Sequence, residues 1–269
     1  MKEFLLEKKN KIIIGVILSL LGLGLILVDY FLGDEWEKFL VYFVNILGSI
    51  ILFVGLGFIY SVVRKEEKKL GVRQMTLVGI MSSISVILYY FVKFNLPFFP
   101  SWLDIQVSEI PALIVGFAYG PYEGFLVILI RFIVKLPATI TAGVGEVADL
   151  ILSGGLVVVS SLFYNKNRTL NGALKGTIIG VAACTVLSIF VNWFILIPAY
   201  INIAHFPLVG LAGMLSETTG LNVTPDNFMF YYLLLGVLPF NLLRYVLVAV
   251  FTFLLYKRTH MVLKRIAKR

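Results

Sequence analysis

Cysteine is almost missing. Cys184 is the single one in 269 residues, so no internal disulfide can form. It sits in an apolar run without His or Asp beside it and reads as a packing residue. Histidine is scarce as well: His205 and His260 are the two, and no HExxH or similar metal-ligand spacing can be assembled from them. Both read as ordinary polar residues. No G-x-x-x-x-G-K-[ST] stretch occurs, which excludes ATP binding through a phosphate loop. Ser82, Ser83 and Ser85 have no base near them, which disfavours a serine nucleophile. The chain reads as a non-enzyme, with no cofactor or metal called for. Charge is thin too, at 14% Asp, Glu, Lys and Arg.

What fills the chain instead is apolar. Hydrophobic residues make up 59%, against roughly 45–50% in soluble domains, and the mean hydropathy is +0.96. Several runs reach the ~20 residues that cross a bilayer core of about 30 Å. Alternating segments of ~10 residues, the mark of a membrane β-barrel, are absent. The expected fold class is therefore all-α, a polytopic membrane helix bundle. The net charge of +8 is not a nucleic-acid footprint, because the basic residues cluster between hydrophobic spans as the positive-inside rule requires. The N-terminal run is too long for a cleaved signal peptide, and no small-x-small site follows it before Asp29.

In chain order, span one is expected at Ile12–Leu32 and span two at Phe39–Val63, followed by the charged linker Arg64–Arg73 (RKEEKKLGVR). That change of composition gives the domain boundary: residues 1–72 form an N-terminal helix pair with its linker, and 73–269 a second domain. Span three covers Thr76–Phe94, and residues 95–108 form a loop rich in Pro and aromatics. Spans four and five come from the stretch Trp102–Pro137, which Gly120-Pro121 breaks into two short helices joined by a tight turn. Span six covers Glu146–Tyr164, and span seven Gly176–Ile197. Pro198–Asn227 is a long loop with apolar pieces of its own. Span eight covers Gly236–Tyr256, and a basic tail follows.

Lys and Arg test this order. Of the 23, 18 fall in the N-terminus, the linker, the 165–175 loop and the tail, which puts all four on one side. Reading 110–137 as one long helix would send the 165–175 loop to the other side, so the charge pattern favours the hairpin. Both termini are then cytoplasmic, in a multi-pass membrane protein.

With this topology the polar residues near spans gather at the outer face. Asp104, Gln106, Ser108 and Glu109 enter span four, and Arg131 and Lys135 leave span five. Asn192 and Tyr200 lie near the end of span seven. Asn241 and Arg244 are three apart after Pro239 and share a helix face. An Arg at a helix centre costs about 2.5–3.5 kcal/mol on insertion scales, so Arg244 must meet a partner, a ligand or water. With Trp102, Trp193, Tyr200 and Tyr245 as aromatic walls, the expectation is an outward-facing cavity for a small polar, planar ligand. Glu146 and Asp149 have two readings, a proton relay or caps at the start of span six. Gly79 and Ser83 form a small-xxx-small pair with two readings as well, packing within the chain or docking to another membrane subunit.

These pieces, LVGIMSSIS, LDIQVSEIPALIVGFAYGPYEGF, NWFILIPAY and GVLPFNLLRYVLVAVFTFLLYKR, resemble in order the substrate-binding S components of energy-coupling factor (ECF) vitamin transporters, over about residues 73–258. The resemblance implies a six-helix core that binds a vitamin and works with a membrane coupling subunit and two ATPase subunits. It implies coupling-subunit docking at Gly79 and Ser83. Spans one and two are then additions to that core. The riboflavin-binding members are the most similar, through the NxxFxxPxY and PFNxx(K/Q/R) patterns. In them the matching positions, here Asn192, Asn241 and Arg244, contact the flavin ring. Asp104 and Glu109 are placed to accept from ribityl hydroxyls, and Tyr200 lines the site. Because position 244 is Arg rather than an uncharged amide, another vitamin (pantothenate, folate or a precursor) stays open. An ion-driven secondary transporter is the remaining alternative, although it would favour inverted repeats, and none is apparent.

Overall fold

The computed structural model describes residues 71–267 except 101, 140, 142, 203 and 204, together with residues 10, 13–18 and 20–21; side chains are described as far as Tyr256, Pro137 excepted. The chain divides into two compact units, Met1–Leu70 and Gly71–Arg269. In the first unit the described residues are helical. Most of span one, all of span two and the linker up to residue 70 lie outside the described residues.

The second unit opens with α1, Val72–Phe91. A two-stranded antiparallel ribbon follows, β1 (Lys93–Asn95) and β2 (Asp104–Gln106), with Phe94 opposite Ile105. Then come α2 (Ile110–Ala118), α3 (Pro121–Lys135), α4 (Val144–Lys166), α5 (Leu170–Asn202), α6 (Leu208–Thr219) and α7 (Phe228–Tyr256), whose helical backbone runs on to Ala267. Four of these, α1, α4, α5 and α7, are long and apolar enough to cross a membrane.

The hairpin expected at Gly120-Pro121 is present. Gly120 has φ 136°, a conformation that side chains disfavour. Pro121 then starts α3 at the helix position where its missing N–H costs nothing. The two arms are short: nine and 15 residues, or roughly 14 and 22 Å at 1.5 Å per residue. Spans four and five are thus shorter than a bilayer core. All nine residues of α2 are buried, so this helix is solvated by protein on every side. Its two arms close on each other at Gly124, where a Cβ would lie 2.8 Å from the Ala112 carbonyl oxygen.

Three expectations change. The 95–108 loop contributes β2 to the ribbon, a short local ladder that periodicity could not announce over three residues a side. Span seven does not stop before Pro198; α5 continues to Asn202. Span eight starts at Phe228, well ahead of Gly236. Prolines explain both. A helical proline lacks its N–H and presses on the carbonyl four residues back, which is Phe194 for Pro198 and Leu235 for Pro239. Both carbonyls lie in widened π turns, Asn192–Leu196 and Tyr232–Val237. The extra residue in each turn absorbs the clash and lets the helix run through. The long loop is also partly helical, since α6 packs Leu211, Ala212 and Leu215 against Phe228 and Tyr232.

α4 and α5 approach closely through small residues: a Cβ on Gly180 would overlap the Ser160 hydroxyl. At one end of the bundle Tyr164 and Tyr256 join α4 to α7 by a 2.5 Å hydroxyl–hydroxyl bond beside Phe117. The charged residues collect at the other end of α4.

Candidate ligand-binding site

Ion pairing brings five charged side chains together. Arg131 and Lys135 are one turn apart on α3 and face the same way. Asp149 and Ser153 repeat that spacing on α4. Arg244 comes from α7 after the π turn, and Glu109 stands immediately before α2. Asp149 is the hub. Its Oδ2 accepts from Arg131 Nη2 and Lys135 Nζ, each at 2.8 Å, and its Oδ1 accepts from Arg244 Nη2 at 2.9 Å. Arg244 Nη2 also donates to Glu109 Oε1.

Neutral groups hold the rest. The Ser153 hydroxyl lies 2.9 Å from both Glu109 Oε1 and Asp149 Oδ1. Arg131 Nη1 donates to Ser108 Oγ at 2.5 Å, and Ser85 on α1 donates to the Ser108 carbonyl at 2.6 Å. Gln106 at the end of β2 reaches Asp149 Oδ1 at 3.5 Å. Lys135 Nζ stands 3.7 Å over the Tyr89 ring. Glu109 and Arg131 have no solvent-exposed side-chain surface. Charges this deep persist only when paired and hydrogen-bonded.

Two glutamate and aspartate readings separate here. Glu146 braces the loop before α4: its Oε2 accepts from Thr139 Oγ1 at 2.7 Å and Thr141 Oγ1 at 3.1 Å, while Thr139 Oγ1 accepts from the Gly143 N–H. Asp149 does not cap. It anchors three cations, Arg131 and Lys135 from α3 and Arg244 from α7.

The remaining expected site residues sit around this cluster. Asn192 is buried and engaged at both ends, donating to the Ser188 carbonyl at 2.8 Å and accepting from Tyr232 Oη at 3.1 Å. Asn241 is buried and donates to the Val237 carbonyl at 2.9 Å. The half-buried Tyr200 stacks edge-on with Phe206, and its hydroxyl would lie 3.4 Å from a Cβ on Gly145 at the start of α4. Asp104 faces Lys93 across the ribbon at 3.6 Å. Of the expected aromatic walls, Trp102 approaches Tyr232 with ring centroids 6.2 Å apart and Tyr245 is fully buried. Trp193 is 49% exposed and forms no buried wall. Gly79 and Ser83 face outward on α1, and a Cβ on Gly79 would meet nothing within 4 Å. Packing within the described residues is thus not what these two small residues do.

Such a cluster, buried at one end of an apolar bundle beneath a short ribbon, suits recognition of a small polar molecule. The model of the ECF transporter substrate-specific component matches residues 73–256. The chain belongs to this family. This S component is also similar, at 26% identity, to a riboflavin transporter (RibU) of Staphylococcus aureus, over 74% of its own length and 98% of that protein's. A riboflavin transporter (FmnP) of Bacillus subtilis is again 26% identical, over 66% and 87%. Among solved structures, the S component of a bacterial ECF transporter superimposes with a TM-score of 0.55 at 23% identity, covering 71% of this chain and 98% of that one. That likeness fixes the fold as the S-component fold.

Sequence reasoning gathered Ser108, Arg131 and Lys135 at the outer face and read Asp149 as relay or cap; what it missed is Asp149 as the hub that pairs them, and Ser153. The signal was present: Arg131 and Lys135 at i, i+4 opposite Asp149 and Ser153 at i, i+4, all inside apolar segments.

Proposed function

We propose that this S component binds riboflavin at the outer end of the bundle and delivers it for uptake. The energy comes from two ATPase subunits acting through a membrane coupling subunit. The observation that carries this reading is the near full-length similarity to riboflavin transporters, 98% and 87% of the two relatives' own lengths. Asn241, Arg244 and Asn192 supply donors and acceptors to the ring edge, Tyr200 lines the site, the buried Glu109 stands within it and Asp104 at its rim. The other vitamins were kept open because position 244 is Arg. Its pairing with Glu109 and Asp149 neutralises that charge internally and favours a neutral ligand over pantothenate or folate.

In this reading the core has six helices, α1–α5 and α7, with two further membrane helices before it in residues 1–72. Both termini are cytoplasmic, and the protein resides in the bacterial cell membrane. Gly79 and Ser83, open on α1, receive the coupling subunit. The test is to purify the full chain in detergent and titrate riboflavin while following flavin fluorescence. Saturable quenching, or a flavin spectrum that persists through gel filtration, supports the reading. A colourless protein that leaves riboflavin fluorescence unchanged overturns it.

A further inference from the structure

The ion cluster is fully bonded except at particular atoms. Glu109 Oε2 and Arg244 Nε are both buried, and neither has a hydrogen-bond partner among the described residues. Their sister atoms are committed: Glu109 Oε1 accepts from Arg244 and Ser153, and Arg244 Nη2 donates to Glu109 and Asp149. Between these two neighbouring side chains one acceptor and one donor remain; Arg131 Nε is a further buried donor without a partner among the described residues, on the far side of Asp149 in the pairing. Buried polar atoms are rarely left unpaired, and the exceptions cluster where a ligand completes them.

The charge balance narrows the ligand. Arg244 faces two carboxylates, Glu109 and Asp149, while Arg131 and Lys135 are taken up by Asp149. At the Glu109–Arg244 edge one guanidinium already serves two carboxylates, so that edge has no positive charge to spare. A ligand carboxylate would set a like charge and only acceptors against Glu109 Oε2. A neutral N–H beside a C=O matches both atoms.

We infer that Glu109 and Arg244 together read an imide edge, Glu109 Oε2 accepting the ligand N–H and Arg244 Nε donating to the adjacent carbonyl. This rests on the riboflavin reading and deepens it. In an isoalloxazine the group is N3–H between two carbonyls. Glu109 is then a specificity residue for the ring, in place of the ribityl contact expected from sequence. Asp149 and Ser153 are positioning residues: they hold Arg244 Nη2 and Glu109 Oε1 so that the other two atoms face the ligand.

The test compares riboflavin with N3-methylriboflavin by fluorescence titration of the detergent-purified full chain. The methyl group removes the N–H and leaves the buried acceptor unpaired. A site built to bond an N–H rejects the analogue that lacks it, so wild-type affinity is expected to fall about 10- to 100-fold. In Glu109→Met, which removes the acceptor, the ratio between the two ligands is expected to shrink to within about two-fold, since neither ligand then finds a partner there. If Arg244 Nε instead closes onto Glu109 Oε2 as a two-pronged fork, the edge is satisfied internally. Methylation then changes nothing in the wild-type protein, and the inference is overturned. The wild-type comparison alone decides this if Glu109→Met does not fold. Failure of wild-type protein to bind riboflavin at all is a different result, and it removes the ligand reading itself.

Discussion

Tyr232 donates its hydroxyl hydrogen to Asn192 Oδ1 at 3.1 Å, and each of the two residues is the first of a π turn. The bond therefore ties the widened turn of α5 to that of α7. Each turn exists because a proline follows it, and each sets the rotation of the polar residues around it. Deleting Leu234 would return the second turn to regular α-helix and change the phase between Tyr232 and Asn241 by about 100°. The expected result is unchanged helix content by far-UV circular dichroism with riboflavin binding lost. Retained binding would mean that the π turn has no part in shaping the site.

Asn241 gives a milder test. Its side-chain nitrogen is committed to the Val237 carbonyl, which leaves its oxygen to meet a ligand. Asn241→Leu keeps the size and the buried position. Riboflavin affinity is expected to fall roughly 10- to 100-fold, the worth of one or two buried hydrogen bonds, with thermal stability little changed. Affinity equal to wild type would take Asn241 out of the pocket.

The helical hairpin was legible in the sequence because Gly120-Pro121 is a strong local signal and because the charge distribution required an even number of crossings. The buried polar positions were legible too, since a charge inside an apolar run has to meet something. What could not be read was who meets whom. Arg244 and Glu109 are 135 positions apart, and nothing local pairs them. Asp149 was split between a relay and a cap because a carboxylate near a helix start suits both. Only the packing of α3 against α4 shows that Arg131 and Lys135 take it. The prolines misled in a systematic way: Pro198 and Pro239 read as helix ends, whereas a single extra residue upstream of each lets the helix pass.

The hub position of Asp149 predicts an asymmetry in stability. Asp149→Asn removes the carboxylate that Arg131, Lys135 and Arg244 all use and leaves buried cations short of a counter-charge. Breaking a buried pair in this way costs about 3–5 kcal/mol. Lys135→Met leaves Asp149 with two guanidinium partners and keeps the apolar stem over Tyr89, so about 1 kcal/mol is expected. Thermal unfolding of the two variants in the same detergent measures the difference. Equal midpoints would show that the charges are not coupled through Asp149.

Two glycines of the core should behave in opposite ways. A Cβ on Gly180 would overlap the Ser160 hydroxyl, at the closest approach of α5 to α4. Gly180→Val therefore forces two membrane helices apart and is expected to cost at least 2–3 kcal/mol, the usual range for overpacking. Gly79 has open space around it on the exposed face of α1. Gly79→Leu should leave the thermal midpoint and riboflavin affinity of the isolated chain unchanged. If α1 is the face that meets the coupling subunit, the same leucine prevents the close helix approach that a small-xxx-small pair permits. Co-purification of tagged chain with coupling subunit and ATPases should then fail for Gly79→Leu and Ser83→Leu but succeed for Ile87→Ala on the same helix. A Gly79→Leu chain that still captures the full complex would place the docking surface elsewhere, because no neighbour among the described residues is there to relieve the added bulk.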